Sequence, residues 1–191
     1  MNRLDDLQRL EEKRKKKMRL FLIGVLLSVE NQQELIPKMK RLSLDTMDEI
    51  KDMRQASFDI ADRYSEETHR VRDGDRQLII MGASLYLISS LARRIAVSDN
   101  DNYVQAARQA VKDTQAVIDR LVVTEVYEAN RKKIKVNNRG AKLLWNAVLD
   151  RKTCDQCEAL DGKIFNEADA PDELHPNCRC ILEVISEHED Q

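Results

Sequence analysis

Five sulfur and nitrogen donors fall in one 27-residue window of the 191-residue chain: Cys154 and Cys157, then, after seventeen residues, His175, Cys178 and Cys180. No cysteine lies elsewhere. Zinc takes four such ligands in a tetrahedron, and a Cys-x2-Cys turn presents two thiolates to one ion. The second cluster supplies the remaining two ligands from three candidates, so the subset of four stays open. With four protein ligands no position is left for water, and the expected role of Zn2+ is structural. Three other chemistries suit the same residues. Disulfides need an oxidising compartment, and the sequence reads as a cytosolic product without a secretory signal. A redox pair at Cys154–Cys157 needs a thioredoxin-like strand-turn-helix context that the flanking sequence lacks. The cysteines can also be simple small buried hydrophobes.

Catalytic patterns are missing. The sequence holds no Walker A motif, no H-E-x-x-H, no Ser-His-Asp order and no G-x-G-x-x-G. His69 and His188 have no evident partner, and the pairs Glu11–Glu12 and Glu66–Glu67 read as helix surface. The expectation is a protein that is not an enzyme.

A second chemistry is electrostatic. Between Glu128 and Asp150 there is no acidic residue, but there are six cations: Arg131, Lys132, Lys133, Lys135, Arg139 and Lys142. Such a stretch can hold phosphates without reading sequence; a solvated helix end carrying cations that suit the helix dipole is the alternative. The run from Lys13 to Arg19 invites the same two readings. Net charge is only −2, yet residues 1–40 carry +4 and residues 150–191 carry −8. Aromatic stacking partners are nearly absent near either basic stretch, which argues against sequence-specific single-strand recognition.

The elements that must position these groups are mostly helical. Only 5 glycines and 3 prolines accompany a composition that is 42% hydrophobic and 35% charged, which excludes wholesale disorder and the glycine-rich turns of large α/β enzymes. Val104, Val111 and Ile118, with Ala107, Thr114 and Leu121, recur every seven residues and predict one long helix. Met47, Ile50, Met53, Ala61 and Tyr64 predict another over about 44–70. Turn signals stand at Asp73-Gly74-Asp75 and at 98–102, bracketing a further helix, and Asn31 to Pro37 reads as a softer break. Four or five helices are expected in all. The apolar runs Leu20–Val29 and Gln77–Ala92 are too short or too polar for a convincing membrane span, so each reads as a buried or partner-docked helix. After Asn137-Asn138-Arg139-Gly140 the pattern shortens, and strands are expected at Trp145–Leu149, Lys163–Phe165 and Ile181–Ile185. The fold class that follows is mainly α: a bundle of long helices over 1–135, then a small zinc-stapled α+β module over 136–191 with an acidic tail. A core so small needs such a staple, and Trp145 and Phe165 are expected to pack beside it.

One ordered series of residues carries a family resemblance. Thr124-Glu125, Asn130, Trp145, Asp150, Thr153-Cys154-x2-Cys157, Leu160-Asp161-Gly162-Lys163-x-Phe165 and His175-Pro176-Asn177-Cys178-Arg179-Cys180 together resemble the C-terminal signature of the phage Mu F-like minor head proteins. The likeness covers about residues 120–182. It departs from some relatives at Val123, where they carry arginine, and at Asp172-Glu173, where they carry two prolines. It implies a virion protein of the phage head interior or portal vertex, acting in head assembly or DNA packaging and ejection. Its implied partners are the portal protein, the major capsid protein and packaged DNA, with several copies at the vertex. Relatives with arginine and histidine at the positions of Cys154 and Cys157 favour Cys157, His175, Cys178 and Cys180 as ligands, with Cys154 the fifth candidate. Without the resemblance, the same residues describe a nucleic-acid-binding regulator with a zinc-ribbon-like end.

Overall fold

The computed structural model describes residues 2–29, 31–98, 102–151, 153–172 and 174–185. The middle of the 98–102 turn signal, Glu173, His188 and the acidic tail lie outside the described residues. Among the described residues, five helices precede the cysteine segment: α1 (Arg3–Leu27), α2 (Gln32–Arg63), α3 (Gly74–Ala96), α4 (Tyr103–Asp113) and α5 (Gln115–Asn137). After them come β1 (Lys142–Asn146), a six-residue α6 (Asp155–Leu160), β2 (Ile164–Asn166) and β3 (Ile181–Val184). The chain is mainly α with a small sheet near its C-terminus.

Local chemistry sets most of these boundaries. Asn31 starts α2: its Oδ1 accepts from the backbone N–H groups of Gln33 and Glu34, at 3.0 and 3.2 Å. Asn102 does the same for α4 through Val104 and Gln105. The break expected over Asn31–Pro37 is therefore confined to the residues before Gln32, and Pro37 lies inside α2. The helix expected over 44–70 begins twelve residues earlier and stops at Arg63. The seven-residue pattern from Val104 to Leu121 is also divided: α4 ends at Asp113 and α5 begins at Gln115, with Thr114, whose side-chain hydroxyl donates to Ala110 O at 2.7 Å, between them. Both segments keep a common periodicity because each packs its own apolar face, with Val111 and Ile118 buried and Val104 exposed.

Contacts group the residues into two units. One comprises 12–53 and 73–122. Its core is built from Met18, Leu22 and Leu26 on α1, Leu35, Leu42 and Ile50 on α2, and Ile80, Leu87, Ile88 and Leu91 on α3, all buried. Arg14 and Lys17 pair with Glu49, and Arg19 with Asp119. Along α3, the segment Arg76–Ala96 is long and apolar enough to cross a membrane by length and composition, and one third of its apolar window is buried inside the protein.

The other unit gathers residues 1–11, 54–72 and 123–191. Its sheet has the order β2-β1-β3, both pairs antiparallel, with Leu143 opposite Phe165 and Val184, and Trp145 opposite Leu182. β1 begins three residues before the expected Trp145 start, because Leu143 and Trp145 alternate inward on one pleat face. The sheet's core includes Ala61 from α2 and Ile134 from α5 beside Leu143, Trp145 and Leu182. A buried ion triad ties the helices of this unit: Arg54 Nη1 lies 2.7 Å from Glu125 Oε2 and also contacts Glu128, with Phe58 beneath the guanidinium.

Candidate metal centre

The five predicted donors arrive on two short pieces of backbone. Cys154 is the N-cap of α6 and Cys157 stands one turn inside it, so both thiols face the same helix end; the Cys154 sulfur accepts the Cys157 N–H at 3.4 Å. His175, Cys178 and Cys180 come from the loop entering β3. That loop doubles back at Asn177, whose φ of 73° is left-handed, a conformation asparagine tolerates better than most residues. The Asn177 N–H donates to Thr124 Oγ1 on α5 at 2.8 Å.

The side chains meet in two overlapping triads. Cys154, Cys157 and His175 have their donor atoms within 4.8 Å of one another, as do Cys157, Cys178 and Cys180. Cys157 belongs to both. Its sulfur is 3.7 Å from that of Cys178, against about 3.8 Å for the S···S edge of a tetrahedron with the usual Zn–S bond. His175 Nε2 stands 3.0 Å from the Cys154 sulfur and 3.1 Å from that of Cys157. The other ring nitrogen, Nδ1, donates to Pro176 O at 2.9 Å, which leaves the Nε2 lone pair aimed at the thiols as a metal ligand requires. All four cysteines are free thiols, with Cys157, Cys178 and Cys180 buried. A compact all-sulfur-and-nitrogen cluster of this kind fits a metal ion.

Its electrostatics favour thiolate at one position and thiol at its neighbour. A hydrogen bond from Cys180, with the Arg131 charge adding to it, holds Cys178 down to about 5 despite burial. The same bond, together with burial, drives Cys180 upward. Burial pushes Cys157 up to about 12. Cys154 is lowered, first by the Cys157 N–H. Burial opposes charge on His175, but the Pro176 carbonyl and the nearby thiolates outweigh it and raise the imidazole.

Around the donors, the polar residues of the Trp145–Cys180 stretch take structural roles. Thr153 Oγ1 accepts from Asp150 N and donates to Val148 O, closing the turn before Cys154. Asp161 Oδ1 accepts from Ala147 N at 2.9 Å, and Gly162, at a φ of 73°, passes its N–H to Trp145 O. Arg179 forks onto both oxygens of Asp150. Trp145 is fully buried in one cluster with Cys157, Cys178 and Cys180, and Phe165 packs against it, as expected.

The six cations are not one surface. Arg131 is fully buried and Lys133 nearly so. Arg131 donates through Nε to Asp172 O at 2.5 Å and through Nη1 to Cys180 O at 2.6 Å, with Cys178 O at 3.4 Å, while its guanidinium lies over the Trp145 ring. Lys133 pairs with Asp62 and donates to His69 O; Lys135 pairs with Asp172 and donates to Ala170 O. Lys132 is half-buried, and only Arg139 and Lys142 are exposed. The phosphate-binding patch read from these residues is thus broken up by the fold: three of its cations bond groups inside it. Sequence reasoning missed Arg131 and Thr124 as supports of the ligand loop, because nothing local links α5 to partners 41 to 53 residues downstream.

A family profile described as Phage Mu protein F like protein matches residues 86–183, just over half of the chain and the whole of the donor cluster. The chain belongs to the phage Mu protein F-like family. As a member it is a phage head morphogenesis protein and virion-associated. The match extends beyond the C-terminal signature to α4, α5 and part of α3. Comparison with curated proteins and with solved structures gave no match.

Proposed function

We propose that this F-like protein is a minor capsid protein of the portal vertex, present in several copies. It would act in head assembly and in DNA packaging or ejection, without catalysis. In this reading the helices dock on the portal or the inner capsid wall, and the cluster around Cys157 is a zinc staple. The observation that carries the staple is the sharing of Cys157 between two donor triads within coordination reach. Cys157, His175 and Cys178 would hold the ion, with Cys154 or Cys180 completing the tetrahedron. Zinc supplies a closed four-coordinate cross-link. The chain's own residues supply the rest: Thr124 and Arg131 hold the ligand loop, and His175 keeps Nε2 free through its Nδ1 bond.

Elemental mass spectrometry on untagged protein purified without chelator is the test of the staple, with about one zinc per chain expected. Cys154→Ser and Cys180→Ser then separate the two tetrahedra, since only one should release the metal. Cys178→Ala should free the metal and expose residues 145–185 to protease while leaving the helices intact. Metal-free protein with unchanged protease resistance would remove the staple. Capture of the cognate portal protein by the zinc-loaded chain tests the docking independently.

A further inference from the structure

Among the described residues, eleven of the fifteen large hydrophobic side chains that are exposed belong to the unit of residues 12–53 and 73–122, and five of them cluster on α3. They are Leu78, Ile79, Met81, Leu85 and Tyr86, each exposed by half to seven-tenths. The opposite face of α3 carries Ile80, Leu87, Ile88 and Leu91 into the core. The exposed face therefore belongs to a helix already anchored on its other side, and spanning a bilayer would require unpacking that core.

Its spacing is symmetric. Leu78 and Tyr86 lie four residues either side of Gly82, and Ile79 and Leu85 lie three either side. At 3.6 residues per turn, all four point within about 60° of the direction of Gly82. Gly82 sits mid-helix, where glycine is unfavourable relative to alanine, yet a Cβ built on it meets nothing within 4 Å. No packing among the described residues requires the missing methyl group. An approaching backbone from outside would.

From these observations we infer that the exposed face of α3 is a self-association surface, on which a second copy of the chain packs its own α3 antiparallel about a two-fold axis at Gly82. An isologous contact requires that residue i meet j while j meets i. Here Leu78 meets the second copy's Tyr86, Ile79 meets its Leu85, and glycine meets glycine at the crossing, where the helices come closest. Charge selects the same arrangement. Residues 77–87 carry none. Arg93, exposed on the same face, would stack on its own copy in a parallel pair and is kept away from it in the antiparallel one. A single helix crossing covers less than the roughly 800 Å² per partner of a standard interface, so a micromolar dimer is expected.

Sedimentation velocity on the full chain from 1 to 200 μM tests this. The parent should pass from monomer to dimer, and Gly82→Leu, Leu78→Glu and Tyr86→Lys should each stay monomeric with unchanged helical circular dichroism. An equimolar mixture of the Leu78→Glu and Tyr86→Lys chains should dimerise again, because only antiparallel pairing sets the new carboxylate against the new ammonium. A parent that remains monomeric throughout, association that survives all three substitutions, or a mixture that fails to pair would each overturn the inference. Flotation of a monomeric parent with phosphatidylcholine–phosphatidylglycerol vesicles, lost in Leu78→Glu, would assign the face to lipid instead.

Discussion

Replacing Arg131 by methionine separates its two possible roles, surface cation and internal brace. Methionine keeps an unbranched apolar stem against Trp145 but loses every donor. Two short charge-assisted bonds disappear, to Asp172 O and Cys180 O, along with the longer one to Cys178 O. Hydrogen bonds to charged groups contribute about 1.5–3 kcal/mol each, and the stacking on the indole adds on the order of 1 kcal/mol. Against that, methionine avoids burying a guanidinium, which returns part of the loss. A net destabilisation of about 3 kcal/mol follows, and at a urea m-value of about 2 kcal/mol/M the midpoint should fall by about 1.5 M. Trp145 is the only tryptophan, so its fluorescence reports the sheet and ligand loop directly, while circular dichroism follows the helices. Arg131→Lys should fall between, since a single ammonium cannot fork to the carbonyls. A midpoint within 0.3 M of the parent, or a selective loss of DNA affinity with the fluorescence transition unmoved, would refute the brace.

Other perturbations test neighbouring supports. Thr124→Val removes the acceptor of the Asn177 N–H and should cost about 1–2 kcal/mol, read as a lower midpoint for Trp145 fluorescence, while Thr124→Ser should restore most of it. Asn177→Gly should be tolerated because the left-handed φ is kept, whereas Asn177→Val should lose about 1–2 kcal/mol in the same assay. Arg54→Ala leaves Glu125 and Glu128 buried without their shared cation and should cost about 3–5 kcal/mol by thermal denaturation; the triple change Arg54→Met, Glu125→Gln, Glu128→Gln should recover much of that. Pro37→Ala should raise thermal stability by restoring an amide to α2, an effect of about 1–3 kcal/mol.

The parts of this protein that were legible in advance are those whose chemistry is local. A Cys-x2-Cys turn, an Asp-Gly-Asp signal at the start of α3 and the strand at Trp145 each act through neighbours in sequence; the first two stand where the residues predict them, and the strand lies three residues upstream of its expected span. Thr114 shows the limit: it divides α4 from α5 without disturbing the seven-residue pattern, so periodicity alone joins two helices into one. Pro37 shows another, because a capping asparagine six residues earlier decides where α2 begins. Arg131 illustrates the third. A run of cations looks the same whether its members face solvent or buried carbonyls, and the loop that supplies those carbonyls is remote in sequence. For the same reason the sheet's core draws on Ala61 and Ile134, which no reading of the cysteine segment by itself could supply.

The three-part make-up of the unit that holds the donor cluster has a consequence for synthesis. Arg3 donates to Leu182 O across 179 positions, so the first helical turn finds its final partner only when β3 exists. Residues 12–53 and 73–122 are complete in the nascent chain well before that. At translation rates of about 5–20 residues per second, the N-terminal segment waits on the order of ten seconds or more after its own emergence. During that interval Arg3 lacks its β3 carbonyl, and the thiols of Cys154 and Cys157 appear before His175 and Cys178. The order of emergence thus leaves β3, just after the ligand loop, to pair last with β1, and that pairing sets in place the carbonyl that Arg3 needs.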